Sequence, residues 1–240
     1  QSHAQLADNA YRNSTNKYYW QNRKPDAAYW QQDVQYKIYA KINEADHVIE
    51  GAEQLTYWNN SPDTLRFVYF HLFQNAFVKG SYLRDLELAN KVNSRMGKKE
   101  AAGLGIVLDK ITVDGQPARS ELDNTILKVY LATPLPPGAK TEIKMGFNTY
   151  WDYGSTRRRM KMYPAWGFMH YNGCQWFPKV CVYDRQHVCD TYQHLNREFY
   201  GDYGLYDVTL DFPSNYVVEA SGELQNRSEV LPDTLRAKLE

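Results

Sequence analysis

Between Asp33 and Asn43 apolar and polar residues alternate without a break. Val34, Tyr36, Ile38, Ala40 and Ile42 fall on one face, and Asp33, Gln35, Lys37, Tyr39 and Lys41 on the other. A period of two puts successive side chains on opposite sides of an extended chain, so this segment reads as a half-buried strand. "HVIEGAEQLTYWNN", residues 47–60, reads as its antiparallel partner. "NSPDT" follows with turn chemistry: Asn60 and Ser61 offer side-chain acceptors and Pro62 presets φ. "LRFVYFHLF" is a third strand, with Leu65, Phe67, Tyr69 and His71 on one face.

Residues 79–103 interrupt this rhythm. Their apolar positions, Leu83, Leu86, Leu88 and Val92, do not alternate, which predicts a charged insertion or a short helix. Strands resume over 105–118, where Asp114-Gly115 is a strong hairpin signal. Two more flank the Pro134–Gly138 turn, and residues 206–213 and 215–224 suggest a final pair joined near Pro213-Ser214. At least eight short strands separated by turns, with minor helix, predict an all-β fold: a sandwich or saddle of antiparallel sheets. The aromatic share, 15% with 20 tyrosines, fits half-exposed pleated surfaces. Residues 1–30 are polar and aromatic and read as an N-terminal arm, with a helix near Asp8–Trp20. Residues 31–240 read as one β-sandwich domain.

Charge narrows the partners. Lys and Arg balance Asp and Glu at 28 each, which argues against nucleic acid or an anionic membrane. No apolar run approaches the ~18 residues of a transmembrane helix. Residues 1–10 lack the basic start and apolar stretch of a signal peptide, so a leader is either absent or already removed. The chain stops at "LRAKLE" without a closing element, and we expect it to be a piece of a longer protein.

No H-E-x-x-H, G-x-S-x-G, P-loop or dinucleotide fingerprint occurs. Soft ligands gather at His170, Cys174, Cys181, His187, Cys189, His194 and Glu198. They admit a structural metal, a Cys181–Cys189 disulfide across the Asp184 turn, or free thiols acting as small hydrophobes. Cysteine spacings of seven and eight supply no zinc pair, which favours free thiols. "TRRRMK", residues 156–161, reads as a solvated loop, with a carboxylate- or phosphate-binding patch as the alternative. His71 reads as a hydrogen-bonded core histidine. Gln175 is a polar amide between Cys174 and the large aromatic Trp176; taken alone, it satisfies a backbone group at a strand end.

Five segments in order carry a resemblance: "AYWQQDVQYKIYAKIN", "IEGAEQLTYWNNSPDTL", "YFHLFQNAF", "CQWFPKVCVYD" and "EFYGDYGLYDVTLDFPSNYVVEASGEL". Together they resemble the N-terminal domain of bacterial zinc metallopeptidases of the aminopeptidase N and leukotriene hydrolase family, in the branch common in Bacteroidetes. The resemblance spans about residues 28–226. It implies a saddle-shaped β-sandwich that packs on a downstream catalytic domain. The zinc motif, the general-base glutamate and the Gly-x-Met-x-Asn motif belong to that domain, and none occurs here. The resemblance therefore implies no metal or cofactor in this chain, zinc in the parent enzyme, peptide substrates, export to the periplasm or cell surface, and a chain inert alone. It also implies a role for Cys174-Gln175: the Gln175 amide accepts a hydrogen bond from the substrate's α-amine. A reading from another class is a stand-alone β-sandwich module that binds glycan or protein, since many aromatics suit carbohydrate stacking.

Overall fold

The computed structural model describes residues 28–155, 160–186, 188–195 and 200–239. The expected arm at 1–30, with its helix, lies almost wholly outside them. The chain divides into two compact units, one ending at Leu210 and the other spanning Asp211–Glu240.

The first unit is all-β and antiparallel, with little helix. Strand β1 (Asp33–Asn43) pairs with β2 (Val48–Trp58) along its whole length, Asp33 against Trp58 and Asn43 against Val48. Strands β3 (Leu65–His71), β4 (Ile106–Val113), β5 (Gln116–Pro117), β6 (Ser120–Asp123), β7 (Ile126–Leu135) and β8 (Lys140–Tyr150) follow. Then come β9 (Met160–Ala165), β10 (Phe168–Gly173), β11 (Lys179–Val180), β12 (Tyr183–Asp184), β13 (Val188–Cys189) and β14 (Leu205–Asp211). One sheet has the order β14-β1-β2-β8-β4-β5 and a second the order β11-β3-β7-β6. β9 and β10 form a separate hairpin, as do β12 and β13.

The alternation of β1 decides what the large sheet buries. Tyr36, Ile38, Leu55, Tyr57, Ile143 and Phe147 are all nearly inaccessible on its inner face. Gly51 is required there: a Cβ would lie 2.2 Å from Cζ of Phe147. On β3 the core takes Val68 and Phe70 instead. Phe67 and Tyr69 stay half-buried under the Lys128 ammonium, 4.1 Å and 5.8 Å from the ring centres.

Turn chemistry places the strand ends. Asp114 and Gly115 both have positive φ, 49° and 80°, as the β4–β5 hairpin demands. At the β2–β3 turn the hub is Asn59, fully buried. Its Nδ2 donates to the carbonyls of Asp63 (2.7 Å) and Leu135 (2.9 Å), and its Oδ1 accepts from Gln32 and Ser61.

The 79–103 insertion holds two short helices, α1 (Tyr82–Ala89) and α2 (Lys98–Ala101). Ser81 caps α1 by accepting from the Arg84 N–H. The insertion is anchored by buried charge. Glu100 accepts from the Gly97 N–H and from Ser155, while Asp152 accepts from the Glu100 N–H at 2.7 Å.

The second unit holds α3 (Arg227–Val230) and α4 (Asp233–Leu239). The strand expected at 215–224 does not form: these residues carry no strand, and Val217 is 98% exposed. β-branched residues favour a strand only where a pleated surface exists to pack against.

Candidate functional site

After Gly173 the chain leaves β10 and crosses the inner side of the large sheet as Cys174–Pro178, then pairs with β3 as β11. Register Lys179↔His71 and Val180↔Phe70 holds the far end. The crossing is fixed from below. The Thr149 hydroxyl donates to the Trp176 carbonyl at 2.6 Å, and the Val180 N–H donates to the Tyr36 hydroxyl at 2.9 Å. Trp176 tilts over Phe147 at 6.1 Å, and Phe177 meets Tyr36 edge-on at 5.7 Å.

Gln175 sits at the start of this crossing with φ +57°, the left-handed region that costs a side-chain-bearing residue roughly 1–2 kcal/mol. Gln74, fully buried in the 3₁₀ turn Phe73–Phe77, holds it there. Its Nε2 donates to the carbonyls of Cys174 (2.9 Å) and Gln175 (3.2 Å). The Gln175 side chain is half-buried, and its Nε2 is enclosed without a hydrogen-bond partner. A buried amide donor left unmade costs about 1–3 kcal/mol. One residue therefore combines backbone strain with an unsatisfied amide.

The other sequence candidates separate. Cys174, Cys181 and Cys189 are all free thiols. Burial raises the Cys181 thiol well above its ordinary range and the Cys189 thiol to about 11, so both are protonated and weakly nucleophilic at neutral pH. Among the described residues no group of three or more His, Cys, Asp or Glu stands close enough to hold a metal. His187 and Glu198 lie outside the described residues, as does the whole "TRRR" run, residues 156–159.

His71 is buried in the core as expected, with the backbone of Asp190 as the polar group that meets its ring. The ring stacks on Phe73 at 4.9 Å and 12°. Burial, then His194 and Lys179, lower its pKa to about 4 against the opposing pull of the Asp190 backbone, so the ring stays neutral.

Sequence reading missed two buried acids. Glu53 sits on the inner face of β2, between Ile38 of β1 and Met145 of β8, 3% exposed and with both carboxylate oxygens unpartnered. Burial raises its pKa well above the usual carboxylate range. Its alternation with Leu55 and Tyr57 was a legible signal, since it shares their parity. Asp202 is raised to about 6, by burial and then by Asp184, with Lys179 opposing. Asp184 is held by the Tyr200 hydroxyl (3.0 Å) and the Gln186 N–H (2.9 Å). No local pattern announces that pairing.

No protein-family model matches the chain, and no curated protein matches it. Among solved structures it is similar to an M1 zinc metallopeptidase from Deinococcus radiodurans bound to a Tyr-Ser-Ala substrate. Identity is 16%, the alignment covers 82% of this chain and 36% of that one, and the TM-score is 0.48. A two-domain M1 zinc metallopeptidase bound to L-tryptophan gives 14%, 82%, 36% and 0.48. Native yeast LTA4 hydrolase gives 11%, 53%, 16% and 0.30. The chain spans about a third of the length of the first two enzymes. The structural neighbours are thus M1 zinc metallopeptidases, at a likeness too low to carry an argument about function.

Proposed function

We propose that this chain is a non-catalytic N-terminal domain of a zinc aminopeptidase-like metallopeptidase, shaping the substrate cleft and helping to bind the peptide N-terminus. The observation that carries this reading is Gln175, held in the left-handed region by two bonds from Gln74. An α-ammonium offers only donors, so it needs acceptors held in place; Gln175 Oε1 is one, whereas the enclosed Nε2 is a donor and takes no part. The two bonds from Gln74 fix the backbone before any ligand arrives, which lowers the ordering cost of binding. Trp176 and Phe177 follow directly, and water excluded by such rings strengthens a polar bond beside them. The ordered segments from residue 28 to 226 support the same reading.

In such an enzyme zinc supplies the activated water. The donor groups described here do not fit a metal, so the ligands would belong to a downstream catalytic domain. The parent protein would be exported. The tests follow in order of cost. The coding sequence beyond Glu240 should contain H-E-x-x-H; a stop codon there favours a stand-alone module. The isolated chain with added zinc should not turn over aminoacyl-anilides. In the longer protein, Gln175→Ala should lower kcat/KM for free-amine peptides by about 1.5–3 kcal/mol, the range for hydrogen bonds to charged groups, and leave N-acetylated peptides unaffected. Equal losses on both would remove Gln175 from the site.

A further inference from the structure

The tip of the β9–β10 hairpin presents its largest side chains to solvent. Trp166 and Gly167 both have positive φ, and the indole between the two strands is 97% exposed. Phe168, the first residue of β10, is 64% exposed. The hairpin belongs to neither of the larger sheets, yet its base is held firmly. The Tyr171 hydroxyl lies 2.6 Å from Nδ1 of His47, and the Tyr171 ring lies 4.7 Å from that of Trp151. Trp151 Nε1 in turn donates to the Asn172 carbonyl at 2.9 Å.

Register sorts one face of the hairpin by distance from that tip. Phe168 lies opposite Ala165, His170 opposite Tyr163, and Asn172 opposite Lys161. Directly opposed residues share a face. The Tyr163 and His170 rings stack at 4.6 Å, with Tyr163 47% exposed. His170, Asn172 and Lys161 are exposed as well. Side chains return to one face every second residue, so successive rows lie about 7 Å apart. The first row is apolar. The second, amphipathic, lies about 7 Å behind it, and the Lys161 row about 13 Å behind. The whole chain is neutral, but its charge is segregated: between Asp152 and Asp184 the sequence holds five Lys or Arg and no Asp or Glu. At the base, Asp46 and Glu44 act on His47, and Lys99 opposes them there.

We propose that this hairpin docks on a membrane surface that carries anionic lipid, with Trp166 and Phe168 entering the boundary between headgroups and acyl chains. This goes beyond the peptidase reading and does not depend on it. Apolar groups bound at that boundary sit roughly 5–10 Å deep. A tip at that depth leaves the Tyr163–His170 row among the headgroups and the Lys161 ammonium level with the phosphates. Trp and Tyr favour this zone because each joins an apolar body to a polar edge. The backbone points the same way. Gly or Asn would hold the Trp166 conformation with less strain, and an indole 97% exposed recovers little of that cost within the chain. A protein partner fits less well. A protein pocket would need an apolar tip, but it would not need apolar, amphipathic and cationic rows in order of depth.

The test is co-sedimentation of the chain with vesicles of phosphatidylglycerol and phosphatidylcholine in equal parts, and with vesicles of phosphatidylcholine alone. Partition into the anionic vesicles should be at least about tenfold stronger, and the difference should shrink as salt rises. Trp166→Asn with Phe168→Asn should weaken partition at least about tenfold, since both apolar side chains are lost from the boundary. Lys161→Gln should weaken it about fivefold on anionic vesicles and leave phosphatidylcholine alone unaffected. All three positions are exposed, and melting temperatures no lower than the parent's confirm that the variants fold. Absence of partition into anionic vesicles overturns the proposal. So does equal partition into phosphatidylcholine, or a double variant that binds as the parent does, which would place the contact on another surface.

Discussion

Glu53 shows how much one side chain can set against a fold. A carboxyl with no partner, enclosed between Ile38 and Met145, survives only as the neutral acid. Its folded pKa lies above its unfolded value near 4.3. The stability it allows is therefore fully present below that value and is lost as pH rises towards the folded pKa. Glu53→Met replaces it with an apolar chain of similar length. The unfolding free energy from urea titration should rise by about 1–3 kcal/mol at pH 7, and the decline above pH ~4.3 should shrink. A Met variant no more stable than the parent at pH 7 would mean that Glu53 has a partner. Asp202 has the same sign over a lower window. Its folded pKa of about 6 exceeds the ordinary 3.8, so stability drains between those values as pH rises. Asp202→Asn should flatten that part of the stability–pH curve, which denaturation at closely spaced pH values would detect.

At the level of elements, the site is a short crossing held against the large sheet. Gly51 of β2 leaves room for Phe147, and Trp176 lies over Phe147. Gly51→Ala pushes a methyl into a ring that close packing cannot displace freely, and should cost about 1–3 kcal/mol by thermal melting. The near-ultraviolet signal of the aromatic cluster should change with it. The β9–β10 hairpin carries the opposite kind of defect. Its turn puts Trp166 at φ +50°, followed by Gly167 at +84°, with the indole 97% exposed. Asn tolerates that conformation far better than Trp. Trp166→Asn should therefore raise stability by about 1 kcal/mol, and no gain would show that the exposed indole contributes contacts of its own.

Across the unit ending at Leu210, the pairings are long-range. β2 lies against β8, Val48 opposite Tyr150, and β3 against β11, His71 opposite Lys179. Loop closure must precede the reward from such contacts, so refolding should take milliseconds to seconds or longer, with intermediates at this chain length. Stopped-flow tryptophan fluorescence after dilution from urea would show it. A single microsecond phase would be incompatible with this topology.

What was legible in the sequence was whatever a side chain's parity or a turn's backbone demands locally. The alternation of Asp33–Asn43 determined β1 and its buried face, Asp114-Gly115 determined a hairpin, and the non-alternating stretch 79–103 marked the helical insertion. Gln175 stood out for its neighbours, but its left-handed backbone and its bonds from Gln74, about a hundred residues away in sequence, came from the fold. The same holds for the Asp184–Asp202 pair, the stacking of His71 on Phe73 and the Ala52–Gly146 row, which exists only because β2 pairs with β8 in that register. Residues 215–224 show the limit most plainly: their pattern is that of a strand, yet a strand needs a neighbour's hydrogen bonds. Local patterns fix which face a residue can offer, and only the tertiary pairing decides what that face meets.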